Sequence, residues 1–376
     1  MEGLAIASKG LEETAACDIK EIINSKCRVE ECSVLFDFKK IEDLCLLCYK
    51  CQSVDKVLLL LGMFEFKDFF DEIENFIDGL ELKGWLEVHK KFRVDCMRQG
   101  NHNFKSTDVE TSVWKLIVKK FSHENVQFDI KNFDIIFLAH IVGNKCYFGI
   151  DFAGMELNKR SYKIFLHSNS LRGTIAYSLV RESGFRKNDV LLDPFTKDGI
   201  IPIEAALYAS GFPVNYYNKE KFAFLKLKIK IDFEKFFGKI DKKAKKSGLN
   251  VYGYDHLFKY VDYSRKNAKI AGVDKLMSLS RVELEWLDIK FKKGEVDVVV
   301  TSLPNSKNAD LDKIYNEFFY QCDFILKKDG KIVIVSRAAD MAVKHAKKHN
   351  FEVMREKAIW SGEQQLAALI FKKKTI

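Results

Sequence analysis

The chain is short of proline. Its 376 residues hold four, Pro194, Pro202, Pro213 and Pro304, and none falls before position 194. The two halves are therefore built differently, and a domain boundary between them is expected. Long hydrophobic runs are also missing. The greasiest stretch, Val57 to Leu61, breaks at Gly62, far short of the ~20 apolar residues that span a bilayer. No membrane contact is expected. The opening Met1-Glu2-Gly3 carries no basic leader, so no signal peptide is expected and the cytoplasm is the anticipated location. Neither an internal repeat nor a low-complexity tract is visible.

What is present is a globular composition, 47% apolar, at a length suited to two or three domains. The net charge of +9 favours a polyanionic partner; a solvated lysine-rich surface would give the same count. The nine cysteines are an odd number. Cys45-x-x-Cys48-x-x-Cys51 has metal-like spacing, but Leu44, Leu46, Leu47, Val57, Leu58 and Leu60 around it read as a buried helix in which cysteine is a small hydrophobe. No metal site is expected.

Periodicity divides the chain further. Residues 1–55 read as strand Leu4–Ala7, helix Leu11–Ile23, strand Val34–Phe38 and helix Ile41–Cys51, a small α+β, ferredoxin-like unit. Residues 56–155 read as a second one. It begins with a strand or short helix at Lys56–Phe64, then helix Phe69–Leu80, strand Lys91–Met97 and helix Thr107–Lys120, with Thr107 or Asp108 as its cap. Strands Phe128–Ile130, Phe133–Val142 and Lys145–Asp151 complete it. Residues 160–376 alternate strand and helix as a parallel α/β sheet does. Its strands are expected at Val190–Leu192, Val251–Tyr254, Leu279–Arg281, Val296–Val300, Lys331–Val335, Glu352–Ala358 and Gln365–Lys372. Its helices are expected at Ser170–Ser183, Gly199–Ala209, Lys259–Ala271, Asp312–Ile325 and Ala338–Lys348. An insertion rich in Lys and Phe lies between Tyr216 and Ser247.

The segment Val190-Leu-Leu-Asp-Pro-Phe-Thr-Lys-Asp-Gly-Ile-Ile-Pro-Ile-Glu-Ala-Ala206 is the most informative. An apolar strand runs into an acid, a tight turn and a small-residue helix, with the loop at the carboxyl edge where doubly wound sheets hold ligands. The acid suits a cation and the helix amino terminus suits an anion. A zwitterionic amino-acid moiety meets both demands; a pyrophosphate meets only the second, and no Gly-x-Gly-x-x-Gly stands here. The block points to S-adenosylmethionine. Asp193 would contact the methionine ammonium and the backbone at Gly199 the carboxylate. Asp255, ending the next strand, suits the two ribose hydroxyls, because one carboxylate accepts from both.

The chain resembles the THUMP-domain RNA methyltransferases, especially those that make N2-methylguanosine in tRNA. The resemblance rests on three segments in order. Phe92-Arg-Val-Asp-Cys-Met-Arg98-Gln-Gly100-Asn-His102-Asn-Phe104-Lys-Ser-Thr-Asp-Val-Glu is similar to the THUMP signature. Phe165-Leu-His167-Ser-Asn-Ser-Leu171-Arg172-Gly-Thr174-Ile-Ala resembles His-Pro-x-Pro-Leu-Arg-Pro-Thr ahead of the catalytic sheet. Asp193–Ala206 matches Asp-Pro-Phe-Cys-Gly-Ser-Gly-Thr-Ile-Pro-Ile-Glu-Ala-Ala in length and in most positions. The resemblance implies a Rossmann-like seven-stranded methyltransferase domain at 160–376, a THUMP RNA-binding domain at 56–155 and the ferredoxin-like unit at 1–55. It assigns Asp193, Pro194, Phe195, Lys197, Asp198, Gly199, Thr174 and Asp255 to the cofactor, with Asp288 on the adenine amino group. It also implies RNA contact, tRNA in particular, with Arg98, His102, Lys105 and Lys115 on phosphates. His167 lines the pocket at most.

Amino-directed methyltransferases carry Asn/Asp-Pro-Pro-Tyr/Phe after the fourth strand. Two carbonyls accept the amino hydrogens, pushing the conjugated lone pair toward the methyl group, and the aromatic stacks on an extruded base. Here Ser302-Leu303-Pro304-Asn305 occupies that place. Ser302, Pro304 and Asn305 are the candidate catalytic residues, with Asn305 a source for the missing amide. Thr196-Lys197-Asp198-Gly199 replaces Cys-Gly-Ser-Gly, and Lys197 is a candidate partner for the methionine carboxylate. Two readings stand: a guanine-N2 RNA methyltransferase with a divergent pocket, and a non-catalytic RNA-binding relative serving as an accessory subunit. In the insertion, Lys242, Lys243, Lys245 and Lys246 offer a second basic surface. Phe222, Phe224, Phe233, Phe236 and Phe237 read better as an amphipathic packing face than as a base-stacking platform.

Overall fold

The structure is a computed structural model that describes residues 1–244, 248–305, 310–362 and 364–374. Lys245 and Lys246 of the basic run lie outside the described residues. Two compact units emerge. One comprises Met1–Ala7, Ala15–Leu157 and Asn218–Gly238; the other comprises Ser8–Thr14, Asn158–Tyr217 and the chain from Lys239 onward. The order of the units along the chain is thus less linear than the sequence pattern suggests: part of the Lys/Phe insertion joins the first unit.

The first unit is built on one eight-stranded sheet. Its strands are β1 (Glu2–Ile6), β2 (Cys27–Glu30), β3 (Ser33–Asp37), β4 (Lys56–Glu65), β5 (Lys91–Gln99), β6 (Gln127–Phe128), β7 (Ile135–Val142) and β8 (Lys145–Asp151). They lie in the order β2-β3-β1-β4-β8-β7-β5-β6. The first four, with helices Glu12–Ile23 and Ile41–Lys50, follow the βαββαβ order of a ferredoxin-like unit. That unit's fourth strand is β4, so a boundary at residue 55 falls one strand short. β4 pairs antiparallel with β1 from Lys56 to Leu59 and with β8 from Leu58 to Glu65. Its unbroken apolar run fits strand or helix equally well by periodicity alone; pairing on both edges makes it a strand.

Local chemistry fixes the helices of this unit. Asp68 caps Phe69–Gly79 by accepting from the Phe70 N–H at 2.9 Å. Helix Ser106–Lys120 is closed by Asp108, which accepts from the Lys105 N–H at 2.8 Å from within the first turn; Thr107 is not the cap. Cys45, Cys48 and Cys51 are fully buried, and burial pushes their thiols upward. Among the described residues no group of three or more His, Cys, Asp or Glu could hold a metal, and no helix is long and apolar enough to cross a membrane. Phe222 and Phe224 are buried and stack at 4.7 Å, and Phe237 lies 4.8 Å from Tyr49. These phenylalanines pack rather than present themselves to bases.

The second unit holds β9 (Leu191–Asp193), β10 (Val251–Asp255), β11 (Ser278–Arg281), β12 (Val296–Ser302), β13 (Leu326–Ser336), β14 (Phe351–Ser361) and β15 (Gln364–Lys373). Their order is β11-β10-β9-β12-β13-β15-β14. β9 to β13 run parallel, and β15 inserts antiparallel between β13 and β14. Leu191, Val298, Val300 and Val333 face a core shared with helices Gly173–Glu182, Ile200–Ser210 and Phe258–Ala271. Leu192, Val296, Val299 and Ile332 face the other, with helices Leu311–Ile325 and Ala339–Lys348. Covering both faces requires near-continuous apolar strands, which is the pattern the sequence shows. Strand order reverses between β9 and β12, and that crevice is where ligands of such sheets bind. The first helix starts at Gly173 rather than Ser170; Ser168 to Leu171 form a loop that lines a cavity at the ends of β12 and β13.

Candidate functional site

β9 delivers Asp193 to the crevice with almost no exposure, at 1%. Its Oδ1 accepts from the Thr301 hydroxyl at 2.6 Å and from the Phe195 N–H at 3.2 Å. Burial pushes this carboxyl up to about 7, partly restrained by the Thr301 hydrogen bond. The turn then tightens. The Thr196 N–H donates to the Tyr254 carbonyl at 2.8 Å, and the Gly199 N–H to the Thr196 carbonyl at 2.7 Å. Gly199 has φ +82°, and a Cβ there would sit 2.9 Å from that of Ser264, so glycine is required. Helix Ile200–Ser210 follows, buried on nearly every side. Glu204 is enclosed within it, held by Arg160 at 2.6 Å and 3.1 Å and by the Tyr162 hydroxyl at 2.6 Å. A charged residue in an otherwise apolar helix was the sequence signal for this trio, but its partners lie some forty residues upstream.

Lys197, which stands where the resembled motif has glycine, lies in the left-handed region that glycine favours, at φ +54°. Asp255 makes this possible by accepting the Lys197 N–H at 3.1 Å, while the Ser264 hydroxyl donates to the Lys197 carbonyl at 3.1 Å. The side chain reaches β12, where Nζ lies 2.9 Å from Ser302 Oγ. Burial pulls this ammonium down to about 8, against the opposing influence of Asp193, Asp198 and Asp255. Asp255 itself, ending β10, also accepts from the Leu257 N–H at 3.0 Å, and burial raises its carboxyl. Asp198 is buried; one oxygen accepts from the His167 N–H at 3.4 Å and the other has no partner among the described residues. Thr196 Oγ1 and Thr174 Oγ1 are likewise buried, with no partner among the described residues.

Not every expected residue joins this cluster. Phe195 turns toward Phe318, 6.1 Å away, and packs on the core. Pro194 is buried beside it in the chain. Asp288 is exposed on the short helix Leu287–Lys290, and its own N–H donates to Gln321 Oε1 at 3.1 Å. His167 is half-buried, with its ring 4.6 Å from Tyr260 and its Nδ1 accepting from the Asn169 N–H at 2.9 Å.

Beyond Ser302, Leu303 is buried in the core, and the Pro304 carbonyl accepts from the Tyr315 hydroxyl at 3.1 Å. Asn305 Oδ1 accepts from Asn169 Nδ2 at 3.1 Å. Ser302, Asn305, Asn169, Ser336, Arg337 and Gln364 help to line a cavity of about 170 Å³. The divergent segment therefore faces a polar opening, and its amide is already engaged. Tyr315 and Asn169 give no sequence signal of their own; the return of the chain to this edge brings them in.

In the first unit, Arg98 lies 5.5 Å over the Phe104 ring and donates to Ser106 Oγ at 3.2 Å. His102 donates through Nε2 to the Gly143 carbonyl at 2.7 Å. A cleft of about 510 Å³ is lined by Phe66, Phe70, Asn101, His102 and Phe104 among others. Lys105 is exposed beside it in the chain, whereas Lys115 lies further along the helix over Trp114, at 5.9 Å. Lys242 and Lys243 are exposed, in the second unit.

Comparison with known proteins agrees with this arrangement. The model of the RMKL-like methyltransferase domain matches residues 160–366, and that of the THUMP domain matches residues 67–151. A tRNA (guanine(6)-N2)-methyltransferase of Methanocaldococcus jannaschii is 28% identical, over 94% of this chain and 93% of its own. One from Archaeoglobus fulgidus is 24% identical, over 98% and 91%. Among solved structures, a methyltransferase-fold protein in complex with SAH superposes with a TM-score of 0.82 at 20% identity, over 100% of this chain and 98% of the other. TrmN from Thermus thermophilus gives 0.72 at 19% identity, over 99% of each.

Proposed function

Because this chain belongs to the RMKL-like methyltransferase-domain family, we propose that it transfers a methyl group from S-adenosylmethionine to the exocyclic N2 of a guanosine in RNA, with the acceptor stem of tRNA as the substrate. The residues at the crevice fit that cofactor. Among the described residues, oxygens on Asp198 and Thr196 in the turn after β9 are buried and without a hydrogen-bond partner, as is Thr174 Oγ1, and buried acids collect where positive charge would be held. Asp193 and Asp198 would hold the ammonium, Asp255 the ribose hydroxyls, and the backbone at Gly199 the carboxylate. The cofactor, when bound, supplies an electrophilic methyl group on sulfonium. This chain's part is to orient the amine, which positioning alone accelerates strongly. Ser302 Oγ and the Pro304 carbonyl are the acceptors offered at the end of β12, with Tyr315 fixing the carbonyl.

The observation that carries the reading is the convergence of Asp193, Lys197, Asp255 and Ser302 at the carboxyl edge where strand order reverses. The division of labour we propose gives the ferredoxin-like strands and residues 56–155 to RNA, with Arg98, His102, Lys105 and Lys115 on phosphates, and residues 160–376 to chemistry. Incubation with labelled S-adenosylmethionine and total tRNA, followed by nucleoside analysis, tests it. Labelled N2-methylguanosine is the expected product. Cofactor binding without label would restore the accessory reading, which the occupied amide of Asn305 favours.

A further inference from the structure

We infer that Ser302 and Lys197 form a relay that takes the proton released when the exocyclic amine is methylated, a role that rests on the methyl-transfer reading above. The argument begins with an unusual backbone. A non-glycine residue at φ +54° persists only where its surroundings hold it. Asp255 and Ser264 do so, clasping the N–H and the carbonyl of Lys197. The outcome is a side chain delivered from the loop after β9 across to the end of β12, where Nζ is 2.9 Å from Ser302 Oγ. Ser302 in turn lines the cavity that also holds Asn305. The hydroxyl thus stands between a buried amine and the polar opening.

Where the resembled motifs carry a glycine and an asparagine or aspartate, this chain carries two residues that touch. An amide can accept an amino hydrogen but cannot take the proton away. A hydroxyl backed by an amine can do both. The groups facing Lys197 are Asp193 from β9, Asp198 from the same loop, Asp255 from β10, His167 from the preceding segment and Ser302 from β12. Burial brings the ammonium down to about 8 despite the three acids, so a neutral amine is accessible near physiological pH. The step balances. The N2 lone pair bonds to the methyl carbon as the carbon–sulfur bond breaks, and that bond's electron pair stays on sulfur. Ser302 Oγ takes the proton from N2 while passing its own to the neutral Nζ, and the resulting ammonium returns the proton to solvent. Lys197 acts through Ser302 and does not touch the base.

Single-turnover methylation of unmodified tRNA, followed from pH 6 to 9.5, tests this, with calorimetric titration of S-adenosylhomocysteine on the same proteins. The unmutated chain is expected to speed up with pH and level off above an inflection near 8. Lys197→Met and Ser302→Ala should each slow the step by about a hundredfold or more and erase the inflection. Lys197→Arg should do the same, because guanidinium does not give up its proton. Ser302→Thr should recover most of the rate, and S-adenosylhomocysteine affinity should change less than about threefold in all four. If Lys197→Arg keeps the rate, or if Lys197→Met loses S-adenosylhomocysteine while Lys197→Arg holds it, the lysine is a charge anchor for the cofactor and the relay is overturned. If the unmutated chain binds S-adenosylhomocysteine yet transfers nothing, the methyl-transfer reading falls and the relay with it, an outcome visible before any variant is made.

Discussion

Lys56 and Lys197 are both buried, 5% and 9% exposed, yet they are put to opposite uses. Lys56, at the start of β4, meets Asp151 at the end of β8 at 2.5 Å. The second oxygen of Asp151 is taken by the Ala153 and Gly154 N–H groups at 2.9 Å and 3.1 Å. That is a closed ion pair with both carboxylate oxygens engaged, and it ties two strands together. Lys197 has three acids for neighbours, but among the described residues its Nζ bonds to a neutral hydroxyl instead. One Asp198 oxygen nearby is left open among those residues. Burial of a cation stabilises a fold only when its partner is also buried and satisfied. Where the partners are incomplete, the same burial prepares a group to change its state.

The largest expected effect separates the two. Lys56→Met strands the Asp151 carboxylate in the interior and should destabilise the protein by about 3–5 kcal/mol. Lys197→Met, which relieves a desolvated cation, should shift unfolding by less than about 1 kcal/mol. Urea denaturation of both variants reads the difference directly, and equal losses would erase the contrast. Next comes Asp193→Asn. The folded carboxyl titrates near 7, above its unfolded value of 3.8, so between those values the native state holds a proton that the unfolded chain has released. Stability therefore falls as pH rises through that window, by up to about 4 kcal/mol. The asparagine variant should lack that decline and be the more stable protein at pH 7, as denaturation midpoints at pH 4 and 7 will show.

A smaller effect is expected from Asn305→Ala. With its Oδ1 already held by Asn169, the drop in turnover should stay below about tenfold, or about 1.4 kcal/mol. A thousandfold drop would instead make Asn305 the surrogate amide. Smallest are the surface lysines of the first unit. Removing Lys105 and Lys115 together should weaken RNA binding only a few-fold at moderate salt. For every lysine that neutralises a phosphate, its removal should make the slope of log affinity against log salt shallower by about 0.7 to 0.9, measured by titration at several salt concentrations.

The legible parts of this chain were those written in local pattern. The apolar runs of β9, β12 and β13 are forced by burial on both sheet faces, and the positions of Asp193 and Asp255 follow from where β9 and β10 end. The limits of the ferredoxin-like unit were not legible, because β4 carries one uniform run that says nothing of which neighbours it joins. The short β2 is missing from the strands expected of residues 1–55, because its four residues carry too little pattern. The contact of Lys197 with Ser302 joins residues 105 positions apart, and residue type alone favoured a cofactor carboxylate for that lysine. Only the left-handed turn at Lys197, which aims the side chain along the sheet's edge, reveals its partner. The same holds for Phe195, whose place in a ligand motif did not foretell that its ring would fill the core against Phe318.

β4 has a final consequence for how this molecule can be dismantled. It is zipped along one edge to β1 and along the other to β8. A chain cut between residues 55 and 56 would leave β1, and the Lys56–Leu59 edge of β4 that faced it, each with a bare row of amides and carbonyls. Neither fragment would be a usable module. Evolution, or an engineer, can move this region only as a whole.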